Sequence, residues 1–270
     1  DINLSYGNDA FYSLIWKPLD SLLAGIRTVY YAPSRLLNGI SMAAIHCSTE
    51  HTLMEKYKLV QLSSTRVLAF QKKQEPLMNA AIYGGINYDA DTLALLATSS
   101  SYRKPEAELF ACNRSLAPGS RKGFNFLPGT MSEATAVKSR LEKTGINTTL
   151  YSGNDAVEES FISLSGKNSP SIIHLATHGY YFPDTFLVKG QKQPSYHGEY
   201  QFRYSNDPLF RSGLILTGAN QAWTGLSLPC NVEDGILTAR EVSNLNLTHT
   251  QLAVLSACQT GQGDIAGTEG

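Results

Sequence analysis

Two nearly unbroken apolar runs stand out late in the chain, Ile172–Ala176 and Leu252–Ala257. Runs of this length, bounded by polar residues, suit strands buried on both faces of a parallel sheet. Around them the period changes. Ser132–Lys143 carries Ala134, Val137 and Leu141 on one helical face, and Gly145 stops it. Thr148–Tyr151 reads as a strand. Asn154 or Asp155 can then cap a helix through Leu164, with Glu158 and Glu159 near its positive end. Thr238–Leu245 reads as a helix opened by a capping box of Thr238 and Glu241. Strand and helix alternate, which predicts an α/β fold with a mostly parallel sheet between helices.

The N-terminal part is less regular. Phe11, Leu14, Ile15, Leu19, Leu22 and Leu23 predict an amphipathic helix over Phe11–Ala24, with a kink or break at Pro18 and an end at Gly25. Arg27–Tyr31 reads as a strand, and Asn38-Gly39 is a hairpin signal. A short helix and a strand around Tyr57–Leu62 follow. The strand over Asn79–Gly85 stops at paired glycines. A tight turn explains them better than nucleotide binding, since neither GxGxxG nor a P-loop lysine is present. Residues 86–125 read as a polar surface insertion, Tyr180–Asp207 as a long loop and Gly218–Asp234 as irregular, with a strand at Arg211–Thr217 between the last two.

Composition narrows the classes of function. The 270 residues are 42% apolar and 17% charged, which suits a globular core. A net charge of −1 offers no electrostatic case for nucleic acid or an anionic membrane. No apolar run approaches the roughly 20 residues that a membrane-spanning helix needs. Cys47, Cys112, Cys230 and Cys258 are too far apart for a zinc pattern. Reduced thiols, and hence a cytoplasmic setting, are the expectation. The chain begins at Asp1 without methionine.

The chemistry gathers at the ends of the two apolar runs. His178-Gly179 follows the first, and Cys258 ends the second with Gly261 three residues on. Ligands of open parallel sheets bind at the carboxyl ends of the strands. A thiol has a pKa near 8.5, and a neighbouring imidazole can take its proton as it attacks. Backbone N–H groups of Gly179 and Cys258 are candidate donors to the oxyanion that forms. A cysteine ending an apolar strand also suits a plain core role. His174, inside the first run, reads as a core or supporting histidine.

The runs IHLATHG over 173–179 and VLSACQTG over 254–261 resemble the CHAT domain, a caspase-like cysteine peptidase family often fused to tetratricopeptide repeats. So do LIWKPL over 14–19, LPGTMSEA over 127–134, LFRSGLIL over 209–216 and DGILTARE over 234–241. The resemblance spans about Phe11 to Gly270. It implies one domain over residues 8–270 with a caspase-like sheet sandwiched between helices, as in caspases, separase and gingipains. It matches His178 to the catalytic histidine and Cys258 to the nucleophile of peptide hydrolysis through a thioester, with no metal or organic cofactor. Relatives continue beyond the region of Gly270, so a shortened C-terminal, small-subunit-like end is expected. Metacaspases place an acid two residues before the nucleophile, where this chain has Ser256. Asp207, Asp264 and Glu269 are candidate acids for a substrate pocket. Expected partners are a protein substrate, helical repeats in the same full-length chain and a regulatory protein. A silent scaffold and a thiol-dependent acyltransferase are the competing readings.

Overall fold

Apolar, β-branched and aromatic residues make up most of the strands. The computed structural model describes residues 10–34, 37, 40–48, 50–69, 75–102, 123–183, 199–229 and 231–257. The chain divides into two compact units, whose described residues lie within 10–69 and 75–257.

In the N-terminal unit, β1 (Thr28–Tyr31), α1 (Leu53–Lys56) and β2 (Lys58–Gln61) surround Trp16, Met42, Ile45, Leu53 and Tyr57, all buried. β1 and β2 pair in parallel. The helix predicted over Phe11–Ala24 is instead a π-type turn, Tyr12–Trp16, followed by a 3-10 turn, Lys17–Leu19. Pro18 has no N–H to donate, so the helical ladder changes pitch there. Leu14 and Leu22, expected on the buried face, are exposed. Asn38-Gly39 lies outside the described residues.

The larger unit holds the predicted α/β core. In chain order it contains β3 (Asn79–Ile86), α2 (Thr92–Ser99), α3 (Pro128–Lys143), β4 (Asn147–Gly153), α4 (Glu158–Ile162), β5 (Ile172–Ala176), β6 (Gly179–Tyr181), α5 (Glu199–Arg203), β7 (Ser212–Ile215), α6 (Ala219–Trp223), β8 (Ile236–Thr238), α7 (Ala239–Ser243) and β9 (Leu252–Ser256). The main sheet has the order β4-β3-β5-β9, and every pairing in it is parallel. Alternation along β3 sorts the two layers. Ala80 and Ile82 meet Ala134, Val137 and Leu141 of α3, while Ala81 and Tyr83 meet a core with Phe161 of α4 and Trp223 of α6. Helices therefore cover both faces, as predicted. A second, antiparallel sheet, β6-β7-β8, joins the latter core through Tyr180, Leu214 and Ile236.

Several boundaries differ from the sequence reading. Gly84 and Gly85 do not form a turn after β3 but lie within it, at a register shift between Tyr83 and Ile86. Gly85 has φ +64°, and Gly84 lies so close to α3 that a Cβ there would be 2.5 Å from Thr130 O. The stretch 86–125 contains α2 and the buried Tyr88, Ala90 and Leu95, so part of it is core rather than surface. Short loops with one apolar turn lack the periodicity that marks burial in a sequence. α4 starts after Val157 with no side-chain cap, so neither Asn154 nor Asp155, both upstream of that position, caps it, and Asn154 Oδ1 accepts from Asn87 Nδ2 at 2.8 Å. The stretch read as a loop from Tyr180 begins in β6 and includes α5. The stretch read as irregular from Gly218 opens with α6.

Candidate active site

Register brings the two key strands together. β5 and β9 are neighbours, with Ile172 opposite Leu252 and Ala176 opposite Ser256. The Thr177 N–H continues the pairing by donating to Ser256 O at 3.2 Å. His178 follows Ala176 by two residues, as Cys258 follows Ser256 by two in the sequence. Cys258, Asp264 and Glu269 lie outside the described residues, as do Cys112 and Cys230. Cys47 is described and is a free thiol.

His178 is half-buried at the carboxyl end of β5. Its ring packs against those of Tyr88 and Phe124, at centroid distances of 5.1 and 5.2 Å. Nε2 is 2.8 Å from the backbone carbonyl of Asn125. A carbonyl only accepts, so Nε2 carries the proton of this bond and Nδ1 is the basic nitrogen of the neutral ring. The aromatic walls are themselves held. Tyr88 OH meets Thr177 Oγ1 at 3.0 Å, and burial raises its phenol above the ordinary pKa. Phe124 packs on Trp223 at 4.8 Å.

Asn220, near the start of α6, fixes the segment that supplies this carbonyl. Its Oδ1 accepts from Phe124 N at 2.6 Å, and its Nδ2 donates to Phe124 O at 3.0 Å and to Asp89 Oδ1 at 2.6 Å. Next to this clamp is a cavity of about 650 Å³, lined among others by Asp89, Asp91, Phe124, Asn125, Asn220 and Gln221. It adjoins the His178 partners Phe124 and Asn125 and has room for a peptide side chain.

Gly179 faces Leu214 across β6 and β7, and the neighbouring bond runs from Ile215 N to His178 O at 2.9 Å. This makes Gly179 a non-hydrogen-bonded pair member, whose N–H points away from β7. His174 is buried on the α3 face of β5, where its Nε2 is 3.0 Å from Glu133 Oε1. Ser256 Oγ donates to the other oxygen of that carboxylate, Glu133 Oε2, at 3.1 Å. Asp207 is engaged elsewhere: it accepts from Arg240 Nε at 2.7 Å and from Leu209 N at 3.0 Å. The Arg240 guanidinium holds its carboxyl below the usual range.

Sequence reasoning did not single out Asn125, Phe124, Asn220 or Glu133. Asn125 acts through its main chain, which leaves no side-chain signal. Phe124 and Asn220 meet across 96 positions, a separation that local patterning does not register. Glu133 lies inside the LPGTMSEA run, so a signal was present without a partner to interpret it. Among the described residues, no group of three or more His, Cys, Asp or Glu is arranged to hold a metal ion, and no helix is long and apolar enough to cross a membrane.

No curated protein and no solved structure matches the chain. A protein-family model does match, that of the CHAT domain, over residues 8–270. The match spans both units and every strand of the sheet that carries His178, and the chain belongs to the CHAT domain family.

Proposed function

We propose that the protein is a cysteine endopeptidase that cuts protein substrates with Cys258 as nucleophile and His178 as general base. The observation that carries this reading is the hydrogen bond from His178 Nε2 to Asn125 O, at 2.8 Å. It leaves Nδ1 to accept a proton at the sheet edge where neighbouring strand β9 leads towards Cys258. Membership of a caspase-like family supports the same chemistry.

In the proposed reaction the Cys258 S–H proton passes to His178 Nδ1 as sulfur attacks the peptide carbonyl carbon. The carbonyl π pair moves to oxygen, and the N–H groups of Gly179 and Cys258 stabilise the oxyanion. Collapse breaks the C–N bond, with the His178 proton going to the departing amine. Water then attacks the thioester, gives one proton back to His178, and releases the acid and the Cys258 thiolate. That thiolate recovers the proton held by His178. The cavity beside Phe124 and Asn125 receives part of the peptide.

The test is digestion of a proteome-derived peptide mixture by the full-length protein, read by mass spectrometry. Cleavage should be lost in Cys258→Ala, and His178→Ala should slow it by about 10²–10⁴-fold, the usual loss for a general base. Cleavage undiminished in Cys258→Ala would refute the assigned nucleophile. No cleavage by the wild-type protein, with its regulatory partner supplied, would favour a scaffold.

A further inference from the structure

Glu133 touches both strands that lead into the proposed dyad. On β5 it meets His174, four residues before His178, and on β9 it meets Ser256, two residues before Cys258. An ionised carboxylate has about four lone-pair positions on its two oxygens. These two partners fill one on each oxygen. The Glu133 side chain remains 38% exposed, whereas that of His174 is 6% exposed. The carboxylate is therefore held at both oxygens yet partly open to solvent, beside the strand ends where a parallel sheet binds its ligand. Ser256 is small and orients the carboxylate by donating to it. A fixed, partly desolvated carboxylate of this kind attracts an ammonium or guanidinium group.

From this geometry we infer that Glu133 determines specificity, selecting a lysine or arginine side chain at the residue whose carbonyl is attacked. The inference rests on the peptidase reading for its placement of the substrate. Glu133 comes from a helix, whereas the strand position itself holds a neutral serine. The carboxylate has a second, bracing role through His174, which the test must separate from recognition.

Binding is therefore measured without turnover, on the full-length Cys258→Ala protein. The probes are fluorescent acetylated tetrapeptide amides, mixed at the first three positions, with arginine or its neutral isostere citrulline at the last. Arginine peptides should bind about tenfold tighter or more, as expected for a partly buried charge pair. Glu133→Gln in the same background, which keeps an oxygen for Ser256, should abolish the difference. Glu133→Asp should restore much of it. Equal binding of the two peptide sets, or an arginine preference that survives Glu133→Gln, overturns the proposal. A thermal midpoint for each variant shows that it is folded. Cleavage by the Cys258 protein is read separately, so its absence would count against the peptidase reading while binding still decides the role of Glu133.

Discussion

Glu158 is a buried acid with an incomplete set of partners. One oxygen, Oε2, accepts from Gly235 N at 3.0 Å, while Oε1 has no hydrogen-bond partner among the described residues. Burial, reinforced by the nearby charge of Asp234, pushes its carboxyl well above the ordinary value. The unfolded chain releases this proton in the usual carboxylate range, but the folded chain keeps it to higher pH. The stability linked to Glu158 is therefore full below the ordinary carboxyl pKa and is lost as pH rises towards the folded value, at up to about 1.4 kcal/mol per pH unit. Glu158→Gln removes the proton without removing the acceptor for Gly235. Denaturant unfolding from acid to mildly alkaline pH should show a flatter stability profile for this variant, with its gain confined to the upper part of the range. Parallel profiles for the two proteins would mean that Glu158 is ionised in the fold.

Among elements, the contact of α3 with β3 constrains the site. α3 enters at the carboxyl edge of the sheet and brings Glu133 beneath the strand ends, and its close approach depends on Gly84. A Cβ at that position would be 2.5 Å from Thr130 O and 2.7 Å from Ala134 Cβ. Neither neighbour is the tip of a flexible side chain. Gly84→Ala should therefore destabilise the protein by about 1–3 kcal/mol, the usual cost of overpacking. It should also displace α3 and lower the turnover of the proposed reaction. Urea unfolding and cleavage assays check the two effects, and an unchanged midpoint would mean that α3 can shift freely. α7 was legible in advance, since Thr238 and Glu241 form the predicted capping box: Thr238 N donates to Glu241 Oε2 at 2.7 Å. α6 was not, because its five residues contain too few turns to display a period.

For the whole molecule, the asymmetry of the main sheet matters most. β5 is buried at every position, but β9, read from its apolar run as a buried strand, ends the strand order among the described residues and exposes Leu252, Ala253, Val254 and Leu255, because there only β5 pairs with it. An apolar strand at a sheet edge is a template for association. Leu252→Lys, at the end of β9 away from Ser256, should lower light scattering in concentrated solution and leave the denaturation midpoint nearly unchanged. Equal scattering by both proteins would show that this edge takes no part in association.

Local patterning located β4, β5, β9, α3 and α7, and thus the fold class, because each carries an extended segment, a helical stripe or a capping box with a recognisable boundary, but it did not foresee that β9 is exposed. The family was legible for a related reason: its motifs are short and contiguous. What only the tertiary structure decided depends on contacts between distant positions. The pairing of Ala176 with Ser256, the tautomer that Asn125 imposes on His178, and the hold of Glu133 on His174 and Ser256 all belong to this class. The glycine pair at 84–85 shows the limit, since the same two letters serve a turn or a bulge under a helix. Gly84 and Thr130 lie on separate elements, and their close approach is a property of the packed layers rather than of either segment.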